Sequence, residues 1–143
     1  MHRIVLAVIA LLLTTPLLVN AQEDRVAGIW SNEDGKAHIR VFKATNGFYY
    51  GKIEWMKNPE KLDKENPDPE KQTQPLLGQM ILKSFEYDAD KEQWNGGTIY
   101  DPDSGKTYDC FMWFEEDPNV LLIKGYVLGM KFMGKSTKWT SVK

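Results

Sequence analysis

Nucleophilic and metal chemistry have little to draw on in this chain. Its 143 residues include two histidines, His2 and His38, and one cysteine, Cys110. Beyond the N-terminal leader, a Ser-His-Asp or Cys-His arrangement would have to use His38, which falls on the polar parity of its strand pattern. A catalytic zinc site built from histidine and cysteine needs three ligands, and one of each does not supply them. Cys110 shares its parity with Tyr108, Met112 and Phe114, which predicts a buried, inert thiol, since reactive thiols need exposure and electropositive neighbours. Asp101, Asp103 and Gly105 begin like a calcium loop. That loop wants glycine at its sixth position and glutamate at its twelfth, where this chain has Lys106 and Met112. Neither a phosphate-binding glycine loop nor a dinucleotide fingerprint is present, so no cofactor and no metal are expected. The acids number 20, and two of them meeting across a binding mouth would be the one catalytic arrangement left open. Asp101 is the residue on which to test it.

Aromatic residues stand out instead. Trp30, Trp55, Trp94, Trp113 and Trp139 are accompanied by six tyrosines. Aromatic side chains line many ligand cavities, but a small barrel also needs them to fill its interior. Tyr49, Trp55, Tyr100 and Tyr126 are the candidate ligand-lining residues. Phe111 and Trp113 fall on the parity opposite Cys110 and Met112, which predicts an outward pair, either covered by a loop or forming an association patch.

The elements that must position these groups are short strands. Asp34-Gly35, Asn46-Gly47, Asp101-Pro102-Asp103-Ser104-Gly105 and Asp117-Pro118-Asn119 are hairpin-turn signals. Between them the apolar period is two: Ala37, Ile39 and Val41 alternate with His38 and Arg40, and Tyr49, Ile53 and Trp55 alternate with Lys52 and Glu54. The pattern predicts strands near 26–31, 37–44, 48–56, 77–83, 85–88, 94–100, 107–115, 120–127, 130–136 and 138–142. Sequential hairpins favour an all-β antiparallel barrel of about eight to ten strands, because closure removes exposed edges. Residues 57–75 break the rhythm with four prolines and a run of charges. They predict one long polar loop with a short helical turn, either a binding lid or a tolerated insertion.

Residues 1–21 read as a secretory signal. A basic start (His2, Arg3) precedes an apolar run from Ile4 to Leu13 and small-residue spacing at Val19-Asn20-Ala21. Cleavage would leave 22–143 as a single barrel domain, exported to the periplasm or secreted, with 17 cations against 20 acids. That balance gives no support to a nucleic-acid or anionic-membrane partner, whose binders need a basic face. The run is too short for a comfortable membrane span, so no transmembrane segment is expected after processing. With one cysteine, the chain has no internal disulfide and rests on its core.

Gly28-Ile29-Trp30 resembles the opening of lipocalins and other calycins, a Gly-x-Trp entering the first barrel strand. Tyr50-Gly51-Lys52-Ile53-Glu54-Trp55, Asn66-Pro67-Asp68-Pro69, Pro75-Leu76-Leu77-Gly78 and the stretch from Trp94-Asn95-Gly96-Gly97 to Thr107-Tyr108 are similar to an exported bacterial family, domain of unknown function 2147. The resemblance implies a lipocalin-like barrel and carries no catalytic residues. It places Trp30 as a structural plug at one barrel end, with Gly28 needed where the strand runs close under neighbouring backbone. Lipocalins also pack a last-strand arginine on that tryptophan; here Trp139-Thr140-Ser141 offers none, and Lys135 or Lys138 would have to substitute. Three functions then compete. The first is a non-enzymatic barrel binding a small hydrophobic or amphipathic molecule. The second is a solid-core protein docking an envelope partner of unknown identity. The third is a carboxylate hydrolase.

Overall fold

The computed structural model describes residues 21–127, 129–130 and 134–143. The expected leader lies outside the described residues except for Ala21, and 131–133 of the expected 130–136 strand lie outside them as well. A 3-10 turn at Asp24–Val26 leads into β1 (Gly28–Ser31). There follow β2 (Ala37–Lys43), β3 (Tyr49–Met56), β4 (Met80–Asp88), β5 (Gln93–Asp101), β6 (Lys106–Phe114), β7 (Val120–Tyr126) and β8 (Lys135–Ser141). Each strand pairs antiparallel with the next, and β8 closes back on β1. Chain and strand order coincide, so closure leaves no edge to protect.

Eight strands replace the ten expected segments because two breaks are absorbed within strands. The predicted gap between 83 and 85 is a bulge inside β4: Tyr49 pairs with Phe85 but Gly51 with Leu82, and Ser84 takes a φ of 63°. Residues from both expected C-terminal strands form the single β8. Two further bulges redirect side chains. In β3, His38 faces Trp55 while Ile39 faces Ile53, leaving Glu54 as an extra residue. In β5, Trp94 faces Met112 while Gly97 faces Cys110, so Asn95 and Gly96 stand against Phe111 alone, with Gly96 at φ 75°. A one-residue insertion exchanges the inner and outer faces of everything beyond it.

An up-and-down barrel sends alternate connections to opposite ends. The turns at 44–48, 89–92 and 115–119 gather at the end where the chain enters β1, and that end is solid. Trp30 is 4% exposed, its ring centroid lies 5.7 Å from Phe114, and Phe114 meets Trp94 edge-on at 5.6 Å. The Trp30 indole donates to the Val26 carbonyl at 2.9 Å. A cation at this end comes from the N-terminal side and lies on a different ring: the Arg25 guanidinium sits 4.5 Å over Phe114. Lys138 is exposed, and Lys135 stands at the opposite end. Gly28 also has a different reason from the expected one. A Cβ there would meet nothing within 4 Å; its φ of +149° is what other residues rarely adopt.

Cys110 is fully buried, and burial pushes its thiol pKa up. A thiol-reactive dye is therefore expected to label the folded protein far more slowly than the denatured one. Labelling at equal rates would remove Cys110 from the core.

Candidate ligand cavity

At the other end the connections are 32–36, 57–79, 102–105 and the one between β7 and β8, and between them the barrel opens into a pocket. The cavity measures about 930 Å³, at the upper end of the usual ~300–1,000 Å³ for small-molecule sites. It reaches down to aliphatic side chains that are themselves closely packed: Ile39 from β2, Ile53 from β3, Ile81 from β4, Ile123 from β7 and Leu76 from the long connection are each at most 7% exposed, with the half-buried Ile99 of β5 beside them. Trp139 of β8 and Tyr108 of β6 complete the lining, and Tyr126 borders it while its ring packs beside Phe111 on the outer face. Each strand contributes the inward side chains of its period, and the bulges decide which those are.

The mouth is polar, and its acids are engaged. Glu33 accepts from the Thr137 hydroxyl at 3.0 Å, and Asp34 accepts from the Lys36 backbone N–H at 3.0 Å. Asp101 accepts from Asp103 N–H at 3.0 Å and from the Ser104 hydroxyl at 2.8 Å, which shapes the β5–β6 turn. Asp103 meets Lys61 Nζ at 3.2 Å across the mouth. Lys36 and Lys135 line the same rim.

The long connection is a fixed wall. Backbone bonds from Asp63 N–H to Gln74 O at 2.9 Å and from Leu76 N–H to Lys61 O at 3.0 Å close its neck. The expected helical turn is the 3-10 segment Pro69–Lys71, capped by Asp68, whose carboxylate accepts from Glu70 N–H at 3.0 Å. The Asp63 side chain is completely buried: it accepts from Tyr100 Oη at 2.5 Å and from Asn66 Nδ2 at 2.8 Å. Gly105 is required beneath this loop, since a Cβ at that position would sit 1.8 Å from the Glu65 carbonyl oxygen, at a φ of +71°. The chain thus clamps residues 61–76 onto the β5–β6 hairpin and presents Lys61 and Leu76 to the cavity.

Of the four candidate ligand residues, only Tyr126 lines this cavity. Tyr49 is fully buried at the solid end, where its hydroxyl donates to Asp24 at 2.8 Å; burial first, then that carboxylate, pushes its pKa up. Trp55 is turned outward by the Glu54 bulge and stands 44% exposed, its ring 4.4 Å from that of His38. Tyr100 is turned outward by the Asn95–Gly96 bulge and covered by the long connection. Burial and Asp63 push its pKa up to about 12. The outward pair Phe111 and Trp113 stacks at 5.1 Å, with Tyr126 alongside Phe111 at 6.1 Å. The aliphatic wall and the Asp63 clasp escape sequence reading. Alternation marks the isoleucines only as core, and nothing local marks Asp63 as buried.

Tyr100→Phe is expected to free the 57–75 loop. It leaves a buried carboxylate short of one hydrogen bond, at a cost of about 1–3 kcal/mol. Limited trypsin digestion should then cut at Lys61, Lys64 or Lys71 several-fold faster. Unchanged resistance would mean that the clasp does not hold the loop.

Comparison with known proteins follows this geometry. A family model described as an uncharacterized protein conserved in bacteria (DUF2147) matches residues 28–141. The chain belongs to that family. The match begins at the Gly28 that opens β1 and ends at Ser141, the last residue of β8, so family DUF2147 corresponds to the whole barrel. Among solved structures, protein HP1028 from the human pathogen Helicobacter pylori, described as belonging to the lipocalin family, is similar with a TM-score of 0.71. It is 23% identical, with 82% of this chain and 83% of that chain covered. The DUF2147 barrel is therefore lipocalin-like in fold. No curated protein matches the chain.

Proposed function

We propose that this DUF2147 protein is an exported, non-enzymatic binding protein that holds a small apolar or amphipathic molecule in the open half of its barrel. The observation that carries this reading is the pocket of about 930 Å³ at the open end, with an aliphatic floor and a charged mouth. Walls of isoleucine and leucine favour a chain or ring system that sheds water on binding, at about 25 cal/mol per Å² of apolar surface removed from solvent. A polar end would remain at the rim, near Lys36 and Lys135. A second reading, a solid-core protein that docks a partner, is favoured by the packing beneath the pocket, where Ile39, Ile53, Leu76 and Ile123 are at most 3% exposed. Catalysis has no part in this reading.

Trp139 in the lining makes the test optical. An environment-sensitive naphthalene dye is expected to bind saturably with one site per chain, quench tryptophan fluorescence, and be displaced by a long-chain fatty acid. Absence of saturable binding to the folded protein would sink the proposal. The export part rests on the leader at 1–21. Intact-mass measurement on fractionated cells should find a chain starting at or near Gln22 in the envelope; a full-length cytoplasmic species would contradict it.

A further inference from the structure

The floor of the pocket draws on two kinds of chain. Ile39, Ile53, Ile81 and Ile123 come from β2, β3, β4 and β7, whose backbones are tied into the closed sheet. Leu76 comes from the connection between β3 and β4, yet it is 1% exposed and packs in the same core cluster. Among residues 57–79 only Asp63 and Leu76 are buried. Asp63 fastens the connection to Tyr100 on the outer side of β5. Leu76 instead reaches inward and lines the pocket.

The backbone fixes where Leu76 stands. Its N–H donates to the Lys61 carbonyl at 3.0 Å, and its own carbonyl accepts from Gln79 N–H at 3.0 Å. Gly78 N–H donates to the Ile53 carbonyl at 2.9 Å, and Ile53 N–H donates to the Gln79 carbonyl at 2.9 Å. Gly78 takes a φ of +91°, which lets the chain turn sharply into β4. Leu76 is thus pinned between Lys61 and the β3 edge at Ile53, while its neighbour Leu77 is left 37% exposed. The side chain of Leu76 is bulk that the connection adds to a hollow the strands alone would leave deeper.

We propose that Leu76 sets the depth of the pocket, and with it the length of the straight apolar tail that the pocket accepts. This rests on the binding reading above and narrows the ligand to an amphiphile whose tail ends against this leucine. Each methylene that leaves water for the pocket raises affinity about fourfold. A methylene beyond the floor gains nothing, because close-packed side chains do not yield to it without strain. Affinity along a homologous series therefore rises with length and then breaks off, and the break marks the floor.

The test is displacement of the naphthalene dye by straight-chain carboxylates from octanoate to octadecanoate, using the chain in the form that cells produce. Leu76→Ala opens room for about three carbon atoms, and apolar hollows of this kind stay dry and accept apolar guests. Its break is expected about two methylenes later than the parent's, with the longest homologues bound at least about tenfold more tightly. Leu76→Phe adds bulk and should bring the break to shorter chains; it decides the question alone if the alanine variant does not accumulate. Leu121→Ala is the control for lost stability. Leu121 is fully buried at the plugged end, paired across the sheet with Phe114, so its truncation should leave the break at the parent's length. An unshifted break in the Leu76 variants, or an equal shift in Leu121→Ala, would overturn the proposal while leaving the binding reading intact. A parent that binds neither the dye nor any member of the series would overturn both, so the two failures are told apart.

Discussion

Trp30→Ala is expected to be the most damaging single substitution in the barrel, lowering stability by about 3–5 kcal/mol. The indole is buried where the solid end is sealed. Its removal leaves Phe114 without a ring neighbour at 5.7 Å and the Val26 carbonyl without its donor. The domain as a whole holds only about 5–15 kcal/mol, so the variant should unfold at a markedly lower midpoint or fail to accumulate. Trp113→Ala makes the comparison within one side-chain type. Trp113 is half-buried on the outer face and stacked on Phe111, and its loss should cost about 1 kcal/mol. Denaturant unfolding of the two variants side by side checks both values. Equal midpoints for the two, or a Trp30→Ala midpoint at the parent value with ligand retention gone, would reverse the assignments of plug and pocket.

The second large effect is on binding. Gly125 lines the cavity, and its φ is not in the positive range. A Cβ at this position would lie 3.4 Å from Tyr108 Cβ and 3.5 Å from Ile99 Cγ2, close but ordinary contacts. The remaining atoms of a leucine there have only the cavity to occupy. Gly125→Leu should therefore lower the affinity for the dye at least about tenfold while costing no more than the ~1–3 kcal/mol typical of overpacking. Trp55→Ala, on the outer face, should leave affinity unchanged. Loss of binding in Trp55→Ala with retention in Gly125→Leu would move the site out of the barrel.

These two predictions also show which parts of the molecule were legible before its structure. Strand period and turn residues carried the barrel, because each hairpin is local and each turn needs residues of restricted conformation. Trp30 was legible through the Gly-x-Trp resemblance. The ligand-facing residues were read less well, for a specific reason. Alternation was extended straight through β3 and β5, but Glu54 and the Asn95–Gly96 pair each insert a residue and exchange the faces beyond them. Trp55 and Tyr100, expected inward, consequently face outward. Gly96 and Gly97 mark a bend in the sequence, since a glycine inside a strand pattern often marks a bulge, but they do not fix which residue is the extra one. No comparable mark accompanies Glu54. The Asp63 clasp joins residues 37 apart in sequence, and neither sequence period nor turn chemistry reports a contact of that range. Arg25 over Phe114 is the same kind of case: the resemblance implies a last-strand cation on Trp30, and the contact that forms instead joins Phe114 to a residue preceding β1.

The central claim is that the barrel is plugged at one end and holds a small molecule at the other. Native mass spectrometry of the purified parent protein, beside Gly125→Leu prepared identically, tests it most directly. The account predicts that the parent carries a bound mass that dissociates on collisional activation and is released by organic extraction. Gly125→Leu should fly as the bare chain. A parent that is bare and cannot be loaded with a long-chain fatty acid would contradict the account, as would an adduct of equal occupancy in both proteins.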